Sequence, residues 1–340
     1  MKNSTSLPLE TLKHLKTKTE IYFICYPDID RPIGGVKQIY RQVDILNQNN
    51  FRAFVLHKTP GFRCSWFANN TPIAYVDEVR QKGLNPQTTF LVLPETYANS
   101  FAQIAPGIPK VIFNQNAYYT FGIPPGNIQP ILSMYRHPEL KATLVVSEDS
   151  YDYLKFAFSL PALKRIQIGI KPDIFYPGTA KKLQICFMPR KNSDHVQQVL
   201  NLLQVRGCLE GIKVISIHQQ PETRVAEIFR ESLLFLSFGY PEGFSLPPAE
   251  AMACGCVAVG YTGNGGREYF QADFSYPLAF GDILLFAKTV DNLLLQGKQN
   301  PEFLITKGLE ASHYISNHYS LERESESIVQ AWHEILTSSS

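Results

Sequence analysis

The sequence predicts an α/β protein of two doubly wound, Rossmann-like domains facing a cleft, and three observations predict it. The chain has 340 residues, more than twice the roughly 150 of a common domain. Short, continuous apolar, β-rich runs alternate with helix-period segments, the pattern of parallel strands buried on both faces. The alternation breaks at a stretch punctuated by Gly169, Pro172, Pro177 and Gly178 and then starts again.

In chain order, residues 1–19 are polar and Lys-rich and read as an exposed lead-in with a short helix. Ile21 to Tyr26 is the first strand, and Gly34-Gly35 forms a loop before a helix whose apolar positions are 36, 39, 40, 43 and 46. Further strands are expected at Arg52–His57, Thr89–Pro94, Lys110–Phe113 and Thr143–Ser147. These make a first domain over 20–170. The second, over 171–318, opens with a strand at Leu183–Met188. It continues with a helix near 194–205, a strand at Ile212–Ile217, a helix near 223–231, a strand at Leu233–Phe238, a helix after Pro247 and a strand at Val257–Tyr261. A terminal helix over 319–340 has Ser320 as N-cap, Glu322 and Glu324 in its first turn, and apolar positions at 321, 328, 329, 332, 335 and 336 on one face. That face is expected to pack back on the first domain.

Composition narrows the function classes. With 44% hydrophobic and 18% charged residues the chain is globular rather than disordered. Residues 1–170 hold 18 Lys/Arg against 12 Asp/Glu, and the remainder 14 against 18. That excess is too small and scattered for nucleic acid, but it leaves room for peripheral contact with an anionic membrane surface. The lead-in lacks an apolar signal core and no apolar run is long enough to span a bilayer, so a cytoplasmic location is expected, with peripheral contact at the inner membrane face as its variant. Six cysteines in a chain of this length suggest reduced thiols. Cys254-Gly255-Cys256 lacks a second ligand pair, and the eight histidines show no metal-ligand spacing, so no metal site is expected.

The chemistry concentrates in Leu233–Gly260. Gly243 and Pro247-Pro248 forbid one continuous helix, which places Glu242 in a loop and Glu250 on the first turn of the helix that follows. A helix N-terminus with free N–H groups and a partial positive charge suits phosphate or sugar oxygens, and Gly243 permits close approach. A carboxylate beside it accepts hydrogen bonds from vicinal hydroxyls.

This stretch resembles the Glu-x7-Glu signature of retaining glycosyltransferases of the GT-B fold, family four, commonly E-G-F-G-L-P-x-x-E-A-M-A-x-G, with Ser245 in place of the second glycine. The resemblance extends to Gly34-Gly35, to IQIGIKPDIFYP at 166–177, to GGRE at 265–268 and to the terminal helix beginning YSLERE. It implies an acceptor-side first domain and a nucleotide-sugar donor side in the second. It implies that Glu250 holds the nucleotide ribose, that Glu242 lies at the donor sugar, that Gly243, Phe244, Ser245 and Leu246 give backbone contacts to sugar and phosphate, and that Gly34-Gly35 binds the donor by bringing its backbone amides to the diphosphate. The basic pair after the first strand of the second domain, here Arg190-Lys191, would neutralise the donor diphosphate, which is why no metal or other cofactor is expected. The family's G-R-x4-K-G pattern is broken by Pro189 and by Asn192-Ser193-Asp194. Where many relatives carry a first-domain histidine, this chain has Asn114-Gln115-Asn116 followed by Tyr118, Tyr119 and Phe121. These amides and aromatic faces are candidate contacts for acceptor or sugar, but an amide is no general base.

The expected partners are a nucleoside diphosphate sugar and a hydroxyl acceptor that is a glycan, lipid or small molecule. Two other readings stand beside the transferase. A catalytically silent nucleotide-sugar binding protein would keep Glu250 and the helix terminus. A hydrolase would use Ser245 as a nucleophile, with Asp273, Asp282 and His313 downstream, although the motif's closing glycine is Pro247.

Overall fold

The computed structural model describes residues 15–122, 126–160 and 162–338. Residues 1–14 of the expected lead-in and the last two serines lie outside that set, and residues 15–18 form a helical turn. The described residues divide into two compact units. The first takes those up to Val146, Ser150–Gln167 and those from Ser325 onward; the second takes Ser147–Asp149 and Ile168–Glu324.

The first unit is built on seven parallel strands in the order β3-β2-β1-β4-β5-β6-β7. They are β1 (Glu20–Ile24), β2 (Arg52–His57), β3 (Ile73–Tyr75), β4 (Thr89–Pro94), β5 (Lys110–Asn114), β6 (Leu140–Val145) and β7 (Leu163–Arg165). Apolar side chains on both faces of β1, β4 and β5 are buried, which is why those strands read as unbroken apolar runs. The connecting helices are α1 (Gly34–Gln48), α2 (Val76–Lys82), α3 (Ala117–Thr120), α4 (Gln129–Tyr135) and α5 (Glu148–Ala157), with a 3-10 turn at Glu95–Tyr97.

The second unit repeats the scheme with five parallel strands in the order β12-β11-β10-β8-β9. These are β8 (Lys182–Phe187), β9 (Lys213–Ser216), β10 (Ser232–Ser237), β11 (Val257–Tyr261) and β12 (Tyr276–Leu278). Its helices are α6 (Ser193–Val205), α7 (Glu222–Glu231), α8 (Leu246–Ala253), α9 (Ile283–Gln299) and α10 (Pro301–His318). Every residue of the central strand β10 is buried.

The last helix, α11 (Leu321–Ser338), leaves the second unit and finishes in the first. Ser320 Oγ accepts the Arg323 N–H, as an N-cap does. Ile328, Trp332, Ile335 and Leu336 are buried, and the Trp332 ring lies 6.1 Å from Phe23 and 6.0 Å from Phe90. The apolar stripe of this helix therefore completes the face of the first sheet that carries β1 and β4.

Three strands were not expected from the sequence: β3, β7 and β12. Each has three residues, none fully buried, and each closes one edge of its sheet. A short, half-exposed edge strand needs no continuous apolar run and so leaves little trace in the pattern. No helix among the described residues is long and apolar enough to cross a membrane.

Candidate active site

In a doubly wound sheet the ligand crevice lies outside the carboxyl ends of the strands, where the strand order reverses. In the second unit that point falls between β8 and β10. The loop after β8 carries Arg190, Lys191 and Asn192; the loop after β10 carries Gly239–Ser245. Asn192, in left-handed backbone at φ 50°, donates its amide to the Phe238 carbonyl at 2.6 Å and so ties the two loops together. Lys191 Nζ donates to the Pro241 carbonyl at 2.8 Å and sits 2.9 Å from Glu242 Oε1. About a fifth of each side chain is exposed, so the pair is not part of the core. Arg190 is exposed beside it.

The Glu242 backbone is fixed from the opposite side. Its N–H donates to Gly263 O at 2.7 Å, its carbonyl accepts the Gly265 N–H at 3.3 Å, and it forms a parallel bridge with Asn264. A Cβ on Gly265 would lie 2.0 Å from the Gly243 carbonyl oxygen, so GGRE begins with glycine because two backbones meet there. Tyr269 OH donates to the Ser245 carbonyl, and the Phe244 ring is buried with its centroid 5.3 Å from Tyr269 and 5.5 Å from Tyr319. Phe244 and Ser245 can thus offer a ligand their backbone but not their side chains.

Two expectations about α8 need correction. Glu250 is the fifth residue of the helix, on its second turn rather than its first. The helix terminus is also poorer in donors than expected. Of the first four N–H groups, Pro247 and Pro248 remove two, leaving those of Leu246 and Ala249. An anion placed there would rely more on the loop N–H groups of Gly243–Leu246 and on the axial dipole. The hydrolase arrangement is not assembled. Ser245 is 6% exposed, Asp282 is spent capping α9 through the Leu285 N–H at 3.0 Å, and His313 is exposed on α10.

In the first unit, Gly34 and Gly35 are the first residues of α1, not a loop before it. Gly35 matters for space: a Cβ there would lie 3.0 Å from Gln115 Oε1. The three amides after β5 have three different fates. Asn114 is fully buried and donates both amide hydrogens inward, to Thr120 Oγ1 at 2.9 Å and Tyr135 OH at 3.0 Å, so it is a core residue and not a sugar contact. Asn116 is 5% exposed, and its side-chain oxygen caps α3 by accepting the Tyr118 N–H at 3.1 Å. Only Gln115 is half-buried, with its amide over Gly35. The half-buried Tyr118 ring packs on Tyr153 at 4.9 Å, while Tyr119 is exposed.

A residue that the sequence reading passed over stands beneath this loop. Glu95, directly after β4, accepts the Gln115 N–H on Oε2 at 3.2 Å and the Asn116 N–H on Oε1 at 3.1 Å. Burial pushes its carboxyl up to about 7, against the pull of those backbone donors. The only signal for it in the sequence is an acid placed without a break after the apolar run of β4. Among the described residues no group of three or more His, Cys, Asp or Glu side chains is placed to hold a metal ion.

Residues 201–306 match the family described as glycosyl transferases group 1, a span that contains Glu242, Glu250 and GGRE. An alpha-1,6-glucosyltransferase of Actinobacillus pleuropneumoniae serotype 7 (strain AP76) is 27% identical over 207 residues, 57% of this chain and 60% of that protein. The match thus spans about three fifths of that curated relative. Among solved structures, sucrose-phosphate synthase from Thermosynechococcus elongatus superposes with a TM-score of 0.69 at 12% identity, over 94% of this chain and 100% of that one. Anabaena HepE in complex with UDP-glucose superposes with a TM-score of 0.67 at 13% identity, over 93% and 99%. The chain thus has the GT-B fold, and residues 201–306 of its second unit match the glycosyl transferases group 1 family.

Proposed function

We propose that the protein is a retaining, metal-independent glycosyltransferase that moves a hexose from a nucleoside diphosphate sugar to a hydroxyl of a carbohydrate acceptor. The observation that carries the reading is the Lys191–Glu242 pair, 2.9 Å apart at the switch point of the second sheet and beside the N-terminus of α8. Breaking the bond between the sugar and the diphosphate leaves positive charge on the sugar and negative charge on the leaving oxygens. Lys191, Arg190 and the loop N–H groups of Gly243–Leu246 stabilise that negative charge, and Glu242 accepts hydrogen bonds from the sugar hydroxyls. With only amides after β5, the acceptor proton passes to a leaving diphosphate oxygen on the same face of the sugar, which is consistent with retention. The first unit supplies the acceptor side, through Gln115 and the start of α1.

The Actinobacillus relative is named a glucosyltransferase and HepE was solved with UDP-glucose, so UDP and glucose are the first donor parts to try. A thermal-shift screen across UDP, GDP, ADP and dTDP sugars tests the donor, and NMR of the anomeric proton of the product tests retention. Formation of the opposite anomer overturns the retaining mechanism. Nucleotide binding without turnover leaves the silent binding protein instead.

Glu250 on α8 is assigned to the ribose hydroxyls. Glu250→Gln is expected to weaken UDP binding by about 1–3 kcal/mol, because a charge-assisted hydrogen bond becomes a neutral one. Calorimetric titration with UDP checks it; unchanged affinity removes Glu250 from the ribose.

A further inference from the structure

The first unit has its own switch point, between β1 and β4. At the carboxyl end of β4 stands Glu95, a carboxylate with no part in the reaction as proposed above. It is 6% exposed, its hydrogen-bond partners are the backbone N–H groups of Gln115 and Asn116, and among the described residues no cation is paired with it. A buried carboxylate without a cation is costly, so what it holds is informative.

It holds two consecutive N–H groups, those of Gln115 and Asn116, at 3.2 and 3.1 Å. Asn116 then caps α3, which fixes the chain after it. The Gln115 side chain, the one half-buried amide of the three, is left lying over Gly35 at the start of α1. Two parallel donors need two acceptors on one side chain. A carboxylate supplies them, whereas an amide supplies one and turns its NH₂ against the other donor.

We propose that Glu95 is a positioning residue for glycosyl transfer: it fixes the 115–116 backbone so that the Gln115 amide is presented to the acceptor hydroxyl beside Gly35. This rests on the transferase reading and on the acceptor binding at the first unit. It also carries a pH signature. Protonation turns one carboxyl oxygen into a donor facing an N–H, so the loop is held by the ionised form, and burial has pushed the carboxyl up to about 7. The titratable side chain that faces it from α4 is Tyr135, whose phenol burial pushes up to about 12. The end of β5, the loop after it and α3 carry the neutral Asn114, Gln115, Asn116 and Thr120 and the phenols of Tyr118 and Tyr119. The acceptor-dependent rate therefore rises with pH through about 7 as Glu95 ionises.

The test compares wild type, Glu95→Gln, Gln115→Ala and the double variant as full chains. UDP release from UDP-glucose is followed with methyl glucoside as acceptor and with water alone, from about pH 5.5 to about 8.5. Glu95→Gln is expected to lower the acceptor-dependent rate roughly tenfold or more, the scale of one lost hydrogen bond to a charged group. It should flatten the rise with pH and leave UDP affinity and release to water within about twofold of wild type. Gln115→Ala should show the same acceptor-specific loss, and the double variant should be no worse than either single, since both act through one amide.

Wild-type acceptor rates in Glu95→Gln, losses that multiply in the double variant, or equal falls with acceptor and with water would each overturn the proposal. If Glu95→Gln does not fold, Gln115→Ala decides: an acceptor-specific loss with a flattened pH rise supports the proposal, and a wild-type profile ends it. A wild type that turns over none of the UDP, GDP, ADP and dTDP sugars overturns the transferase reading and this one with it. A working wild type with an indifferent Glu95→Gln overturns this one alone.

Discussion

Lys191→Ala is expected to lower sugar transfer by roughly a hundred- to a thousandfold, the usual cost of removing a preorganised group that meets charge developing in the transition state. Two consequences add up. The departing diphosphate loses a cation at the switch point, and Glu242, 2.9 Å away, keeps its charge without a partner. Affinity for UDP should fall too, by roughly tenfold, because the product carries the same diphosphate. Lys191→Arg should recover only part of the rate. The ammonium meets both the Pro241 carbonyl and Glu242 from one point, which the planar guanidinium fork cannot reproduce. Glu242→Gln should separate the roles, keeping UDP affinity while impairing transfer. Transfer rates beside UDP titrations check the set, and a Lys191→Ala enzyme within about threefold of wild type removes Lys191 from the leaving-group role.

Trp332→Ala is expected to destabilise the first unit by about 3–5 kcal/mol, the cost of truncating a large buried aromatic where the surroundings cannot collapse. Trp332 is fully buried, and its ring meets Phe23 of β1 and Phe90 of β4, the two strands at the switch point. A helix from the far end of the chain thus completes the core beneath the proposed acceptor side. Urea unfolding followed by circular dichroism checks it: at a slope of about 2–3 kcal/mol per molar, the midpoint should drop by roughly 1–2 M. Trp332→Phe should lose less than half as much, since most of the apolar surface remains. A midpoint unchanged in Trp332→Ala would mean that α11 merely lies on the first unit.

The Glu242–Glu250 block was legible because its meaning is local. Two prolines, a glycine and two acids within a few residues dictate a strand, a loop and a helix whatever surrounds them. The long central strands were legible for a related reason, since a strand buried on both faces must be apolar throughout. The edge strands β3, β7 and β12 were not, because half-exposed segments carry no such constraint.

What the sequence by itself determined, then, is the doubly wound class, the restart near residue 168, the apolar stripe of α11 and the candidacy of Glu242, Glu250, Arg190 and Lys191. Only the tertiary structure decided which residues meet. Lys191 and Glu242 are separated by half a hundred positions and become an ion pair because β8 and β10 are neighbours in the sheet. Asn114, Gln115 and Asn116 look alike in sequence, yet one is core, one is a cap and one is left half-buried. Their fates follow from the direction each points off the end of β5, and from Glu95 on the adjacent strand β4. The number of N–H groups left at α8 depended on the register of Pro247 and Pro248 within the first turn. Local propensity fixes the state of each segment. Contacts between segments far apart in the chain fix what each side chain touches, and no periodicity encodes that pairing.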